Sequence, residues 1–412
     1  MKMKIEQILI IFLVSLSFFR VDLSVGSFSF LVSPQFFLST AIILIFFAKL
    51  LNKEYIHKSL LVYSSLLILL LSYFLTSIFF NYHGSLQFKR YILFFEIILS
   101  SIAFLFLFNQ FSSLKQKHII RQWIKYSITT HLIWISIQFA LFFNGFHFYA
   151  DSWEQWRFIN PLPHSVGFYF PRLEGGFLDP NVCGYYFSFL FFLARMLKIS
   201  NKKNNALMML FIALTISRSA IAAFFVTLVI FNFSFAKFSL KKVLVGVAIF
   251  VTGCVSFLAA LKVLGYWDYF VKALTIRLTS KGSTNIHNSL LELGFQETIK
   301  SLHTFFFGSG FSSSPYFAYD LLKVAGNKWK YANFHSEYIS VFFETGILGL
   351  ILYYSILFFP FIHTKKSKVK LFPILLLILL QGVFYQQYNF HYYWVVLAIV
   401  LSLNLKNAVK EK

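Results

Sequence analysis

Leu60–Phe80 reads LLVYSSLLILLLSYFLTSIFF, with no charged side chain anywhere along it. Taken as a helix rising 1.5 Å per residue, about 20 such residues span the roughly 30 Å hydrocarbon core of a bilayer. A run this apolar has no water to satisfy its backbone, so within lipid it must be helical. Val243–Leu264, apolar apart from Lys262 near its end, reads the same way. Hydrophobic residues make up 58% of the 412 and charged residues 13%, with a mean hydropathy of +0.70. No single water-soluble core could hide that much apolar surface, so the solvent for this chain is lipid.

The formal charge of +22 would point to nucleic acid in a soluble protein. Here the basic residues fall in short clusters: Lys2/Lys4, Lys49/Lys53/Lys58, Lys115/Lys117/Arg121/Lys125, Lys198/Lys202/Lys203, Lys237/Lys241/Lys242, Lys365/Lys366/Lys368/Lys370 and Lys406/Lys410/Lys412. Short basic loops belong on the cytoplasmic side, so this charge records topology and no nucleic-acid partner is expected. Cys183 and Cys254 lie in separate apolar stretches without metal-type spacing, which points away from a disulfide framework or a zinc site. The first apolar run lacks a small-residue cleavage site and reads as a retained helix.

Placing all seven clusters on one side forces an even number of crossings between neighbours. The expected fold is an all-α polytopic membrane domain over residues 1–412, with about twelve helices. They fall near 7–20, 28–50, 59–80, 91–108, 124–143, 181–197, 205–217, 219–235, 243–264, 336–359, 371–386 and 391–405. Both termini are expected in the cytoplasm. The stretch 205–235 is long enough for one helix, but parity demands two, with the outer turn at Ser217-Arg218-Ser219. An arginine there avoids the cost of a charge at mid-membrane. Two larger outward loops remain, 144–180 and 265–334; the second contains a short helix near 288–302 and a turn at Gly308-Ser309-Gly310. Long ordered loops on a rigid scaffold are where function concentrates.

Three polar constellations lie on the outward side. The first runs from Arg172 through Gly176 to Asp179-Pro180-Asn181. Asp then Pro reads as N-cap and first helical position, which is also the plain structural reading of Asp179 and Asn181. Arg172, beside two glycines that permit close approach, is either a headgroup anchor or a clamp on phosphate oxygens. The second is Ser217-Arg218-Ser219, where free N–H groups at a helix start and a guanidinium make an anion site; a snorkelling arginine in a tight hairpin is the alternative. The third is His335, entering a helix that continues through Gly346 to Gly349. On an unbroken helix His335 and Gly346 share a face, separated by three turns and about 20°. Such a glycine track suits helix packing or a passing lipid tail. His335 titrates near neutrality and is a candidate base or positioning group, although a lone histidine is often inert. Glu344 falls on the opposite face, and it and Glu96 are expected to bond neighbouring helices.

With these residues in this order, the sequence resembles the O-antigen polymerase and O-antigen ligase superfamily of bacterial membrane glycosyltransferases. The resemblance rests on R-x3-G at Arg172–Gly176 leading into Asp179-Pro180-Asn181, on the Ser217-Arg218-Ser219 turn, and on H-x10-G at His335–Gly346. It covers mainly the chain after residue 140, and Ala220 stands where the family often has glycine. The resemblance implies an inverting transfer without metal or other cofactor at the outer face of the inner membrane. The substrate it implies is an undecaprenyl-diphosphate-linked oligosaccharide, alongside membrane lipids and a chain-length regulator as partners. Arg172 and Arg218 would then hold the diphosphate and His335 would orient or deprotonate the acceptor hydroxyl. Arg157, Arg277 and His287 are further substrate-binding candidates, fixed by no motif.

Polymerase is the leading expectation and ligase the alternative. A transporter of the same lipid-linked sugars is the alternative from another class, but paired halves with interrupted helices are not seen in the sequence.

Overall fold

A computed structural model describes residues 21–25, 28–32, 34–51, 58–143, 147–149, 157–159, 179–199, 201–215, 217–235, 281–324, 334–362 and 368–409, with isolated positions between 259 and 267. The expected helices 7–20 and 243–264 lie outside the described residues. Elsewhere the expected helices are present: α1 (Pro34–Leu51), α2 (Lys58–Phe80), α3 (Ser85–Gln110), α4 (Ser113–Phe143), α5 (Pro180–Met196), α6 (Lys202–Leu214), α7 (Arg218–Phe235), then α11 (Glu337–Ile362), α12 (Lys368–Phe384) and α13 (His391–Val409). Between α7 and α11 come α8 (Lys281–Ile299), α9 (Leu302–Phe307) and α10 (Ser314–Val324). The chain is a helical membrane protein. Helices α2, α3 and α11 are long and apolar enough by themselves to cross a bilayer.

Several boundaries differ from the sequence reading for physical reasons. Two short antiparallel hairpins are present, one before α1 and one after α4. One pairs β1 (Val21–Val25) with β2 (Phe28–Val32); the other pairs β3 (His147–Tyr149) with β4 (Arg157–Ile159). The first hairpin takes residues 28–32 from the expected helix, which instead starts at Pro34, a residue whose fixed φ suits a first helical position. Helix α4 begins at Ser113, so the basic cluster Lys115/Lys117/Arg121/Lys125 is helical and not in a loop. Helicity satisfies the backbone there while the long cationic side chains reach water. The stretch 205–235 is divided into two helices as expected, α6 ending at Leu214 and α7 starting at Arg218.

Packing is centred on α3, α5, α11 and α13. Helix α13 lies along α3; α11 packs on α2, α12 and α13; α5 packs on α6, α7 and α12. Gly184 of α5 permits that closeness, because a Cβ there would stand 2.6 Å from the Ala220 Cβ on α7. Buried aromatics fill the space between helices: Phe311 stacks on Phe74 at 4.4 Å and tilts on Phe94 at 5.4 Å, and Trp123, Tyr186 and Trp394 are fully enclosed. Their polar tips are satisfied internally, Trp123 Nε1 donating to the Tyr186 hydroxyl at 2.7 Å and Trp394 Nε1 to the Tyr388 carbonyl at 2.7 Å.

Helix α11 is not continuous, which corrects the shared face assigned to His335 and Gly346. Gly346 has φ 65 and ψ −173, so the helix breaks there. The break receives the turn after α9. A Cβ on Gly346 would lie 2.4 Å from the Phe306 carbonyl carbon, and one on Gly308 2.4 Å from the Thr345 nitrogen. Only glycines let two backbones meet so closely. The carbonyls left by the break find new donors: Ser309 N bonds Phe343 O at 2.8 Å, and the Tyr73 hydroxyl bonds Thr345 O at 2.7 Å. Inside a membrane such groups must be paired, and here they are. Gly346 therefore serves a docking joint, and no smooth track runs from it to His335.

The two carboxylates expected to bond neighbouring helices do so. Glu344 accepts from Ser314 Oγ at 2.6 Å and from the Tyr388 hydroxyl at 3.0 Å. Glu96 accepts from Ser39 Oγ and pairs with His391 Nε2 at 3.1 Å.

Candidate functional site

Helices α5, α7 and α11 all begin at the same end of the bundle, where α12 finishes. That end gathers the polar residues singled out above. Asp179 is the N-cap of α5: its Oδ1 accepts from Asn181 N at 2.6 Å, with Pro180 in the first turn, as the sequence indicated. The Asn181 side chain then reaches the start of α7, its Oδ1 accepting from Ser217 Oγ at 2.6 Å. Ser217 Oγ in turn accepts from Ala220 N at 3.2 Å and lies 3.3 Å from Ser219 Oγ. One side-chain chain thus joins the two helix starts. Arg218, between these serines, is exposed.

His335 occupies the turn before α11 with φ 53, in the left-handed region. A non-glycine residue there costs about 1–3 kcal/mol, so its surroundings must hold it. Phe334 is buried against Phe343, with ring centroids 4.9 Å apart. Ser336 Oγ bonds the Gly382 carbonyl at 3.3 Å and receives Ile339 N at 3.5 Å. Between these anchors the imidazole is turned toward α8 and toward the end of α12. Its ring meets His287 edge-on with centroids 4.1 Å apart, and lies 6.4 Å from the Tyr385 ring.

The electrostatics follow from this crowding. Burial, then the neighbouring His287, holds His335 down to a pKa of about 3. Burial, then the Arg218 charge, lowers His287 as well. Both imidazoles are neutral at physiological pH. Burial and the adjacent Asp179 charge push the Tyr385 hydroxyl far above the ordinary phenol range, so it remains a donor. It donates to Asp179 Oδ2 at 2.5 Å.

The contacts form a chain from His287 on His335, through His335 facing Tyr385 and Tyr385 on Asp179, to Asn181 and Ser217 beside Arg218, whose charge is felt at His287. Of the sequence candidates, Asp179, Asn181, Ser217, Arg218, Ser219, His287 and His335 come together. Gly346 does not. Arg172, Gly176 and Arg277 lie outside the described residues. Arg157 starts strand β4, and its side chain is outside them too.

Two residues at this site escaped the sequence reading. Tyr385 belongs to the polar break Tyr385-Gln386-Gln387-Tyr388-Asn389 between two apolar helices, a signal that was present and unused. Glu337 lies two residues after His335, with Ser336 between them. It is fully buried, its Oε1 accepting from Tyr353 at 2.8 Å and Tyr393 at 3.0 Å, its Oε2 from Gln387 N at 2.8 Å. It ties the turn carrying Tyr385 to the start of α11.

Residues 204–354 match the O-antigen ligase family. The match begins in α6 and ends in α11, so it takes in Arg218, His287 and His335 and leaves out Asp179 and Tyr385. It supports membership of the O-antigen polymerase and ligase superfamily, in agreement with the resemblance drawn from the motifs. That family comprises glycosyltransferase-like membrane enzymes and implies lipid-linked glycan substrates. No curated protein matches the chain.

Proposed function

We propose that this chain is an O-antigen polymerase, joining undecaprenyl-diphosphate-linked oligosaccharide units at the periplasmic face of the bacterial inner membrane. The observation that carries this reading is the contact of His287 with His335 within the field of Arg218, at the end of the bundle where α7 presents its N-terminus. Departure of a lipid diphosphate builds negative charge. A guanidinium and the free N–H groups of a helix start are suited to receive it. Arg172 is proposed to add a second guanidinium, and Gly176, Arg157 and Arg277 to complete the donor's binding surface. His335, neutral and partly exposed, accepts or orients the hydroxyl of the incoming sugar, which attacks the anomeric carbon from the side opposite the diphosphate and inverts it. Asp179, Asn181, Ser217 and Ser219 hold the two helix starts in register around the donor. The transfer needs no metal, because the positive groups neutralise the leaving group.

The same reading places twelve spans in the membrane with both termini in the cytoplasm, and a chain-length regulator as partner. Ligase activity, moving finished polymer onto lipid A core, is the second reading, favoured by the description of the matched family. Deleting the gene separates them. Loss of a polymerase leaves core capped by one repeat unit, whereas loss of a ligase leaves bare core. A transporter for the same lipid-linked sugars would give no new glycosidic bond with purified protein.

A further inference from the structure

His287 has a feature that diphosphate binding does not use. Its Nδ1 is buried and has no hydrogen-bond partner among the described residues, while its ring touches the face or edge of His335 at 4.1 Å between centroids. A buried ring nitrogen without a partner is costly and calls for a functional or solvent explanation. His287 and His335 are both partly exposed, so the pair opens toward water.

We infer that His287 receives the proton that His335 takes from the incoming sugar hydroxyl, so that the two imidazoles work as a relay. This rests on the transferase reading above. In the step, the acceptor O–H bond breaks as its oxygen forms the new bond to the anomeric carbon. The anomeric C–O bond to the diphosphate breaks, and its electron pair leaves on the phosphate oxygen. The proton passes to His335; a turn of the edge-on His287 ring brings one of its nitrogens within hydrogen-bond reach, and the proton moves to His287 and from there to solvent.

The geometry explains why one histidine is insufficient. His335 packs against His287 and faces Tyr385, and it holds a proton poorly. A bound diphosphate adds negative charge next to both rings and raises their proton affinity at the moment transfer needs it. Two imidazoles in contact cannot both stay charged, so a proton entering at His335 is driven onward. The Arg218 charge, which lowers the proton affinity of His287, keeps the proton from lodging there once the diphosphate has gone. Among the described residues, the charged and titratable groups acting on the pair include Arg218 from the start of α7, Tyr385 after α12 and, through Tyr385, Asp179.

The test uses purified full-length protein with lipid-linked repeat unit and compares His287→Phe, His287→Gln and His335→Ala. Phenylalanine keeps a ring packed on His335 but supplies no nitrogen; glutamine keeps polarity but accepts no proton. Both His287 variants should lose roughly 100-fold in kcat, the scale of a missing acid–base group, with KM little changed. Wild-type kcat in His287→Phe would mean that the ring only packs, and would overturn the relay. A rise in KM with kcat retained would make His287 a diphosphate contact and also overturn it. Inactive His335→Ala alongside active His287 variants defeats the relay but leaves the transferase reading standing. Active His335→Ala defeats that reading as well.

Discussion

The Tyr385 hydroxyl donates to Asp179 Oδ2 at 2.5 Å, joining the turn after α12 to the N-cap of α5. Asp179 therefore does two jobs with two oxygens: one caps a helix and the other fixes the tyrosine facing His335. Tyr385→Phe should leave the cap intact but strand a buried carboxylate oxygen, costing about 1–3 kcal/mol. Asp179→Ala should cost this and about 1 kcal/mol more for the lost cap. Thermal unfolding of the detergent-purified variants checks the order, and glycan transfer should fall in both.

Glu337→Gln probes the other tether of the same turn. Its carboxylate accepts from Tyr353, Tyr393 and the Gln387 backbone, so replacing one oxygen by an NH2 group sets donor against donor. The expected loss is about 1–3 kcal/mol, together with reduced transfer because the Tyr385 turn is released. Unchanged thermal stability would show that these bonds carry no weight.

Gly346→Ala should be more damaging than an ordinary alanine substitution in a helix. The position has φ 65, and the new Cβ would meet the Phe306 carbonyl carbon at 2.4 Å. Left-handed backbone alone costs a non-glycine residue about 1–2 kcal/mol, before the α9 turn is displaced. The fraction of protein eluting as a single species after mild heating measures the effect, and recovery equal to wild type would argue against the docked turn.

Much of this arrangement was legible in the sequence, and the failures are local. Charge parity divided 205–235 correctly because an arginine at mid-membrane is so unfavourable. Asp179-Pro180 announced a helix start because capping chemistry is local. Gly346 was misread because helical periodicity assumes an unbroken helix, whereas its break depends on the α9 turn brought in by tertiary contacts. Tyr385 and Glu337 were missed for a related reason: a buried tyrosine and a buried glutamate look like core until their partners are known. The meeting of His287 with His335 depends on how α8 lies on α11, which no short motif encodes.

The low proton affinity of His335 sets the sign of a pH effect. Its folded pKa, about 3, lies below the unfolded value near 6.5. Below pH 6.5 the unfolded chain binds more protons at this residue, so stability is fully present above that pH and declines as pH falls toward 3. His287 is shifted in the same direction. The thermal midpoint should therefore change less favourably from pH 7 to pH 5 in the wild type than in His335→Gln, which lacks this contribution. A pH slope unchanged in the variant would mean that other groups control it.

The central claim is that Arg218 and His335 serve one transfer reaction at one end of the bundle. Its most direct test is polymer formation by purified wild type, Arg172→Ala, Arg218→Ala and His335→Ala, each supplied with lipid-linked repeat unit. The expected result is polymer from the wild type and almost none from the variants, all of which remain folded. Full polymer formation by all three variants would contradict it.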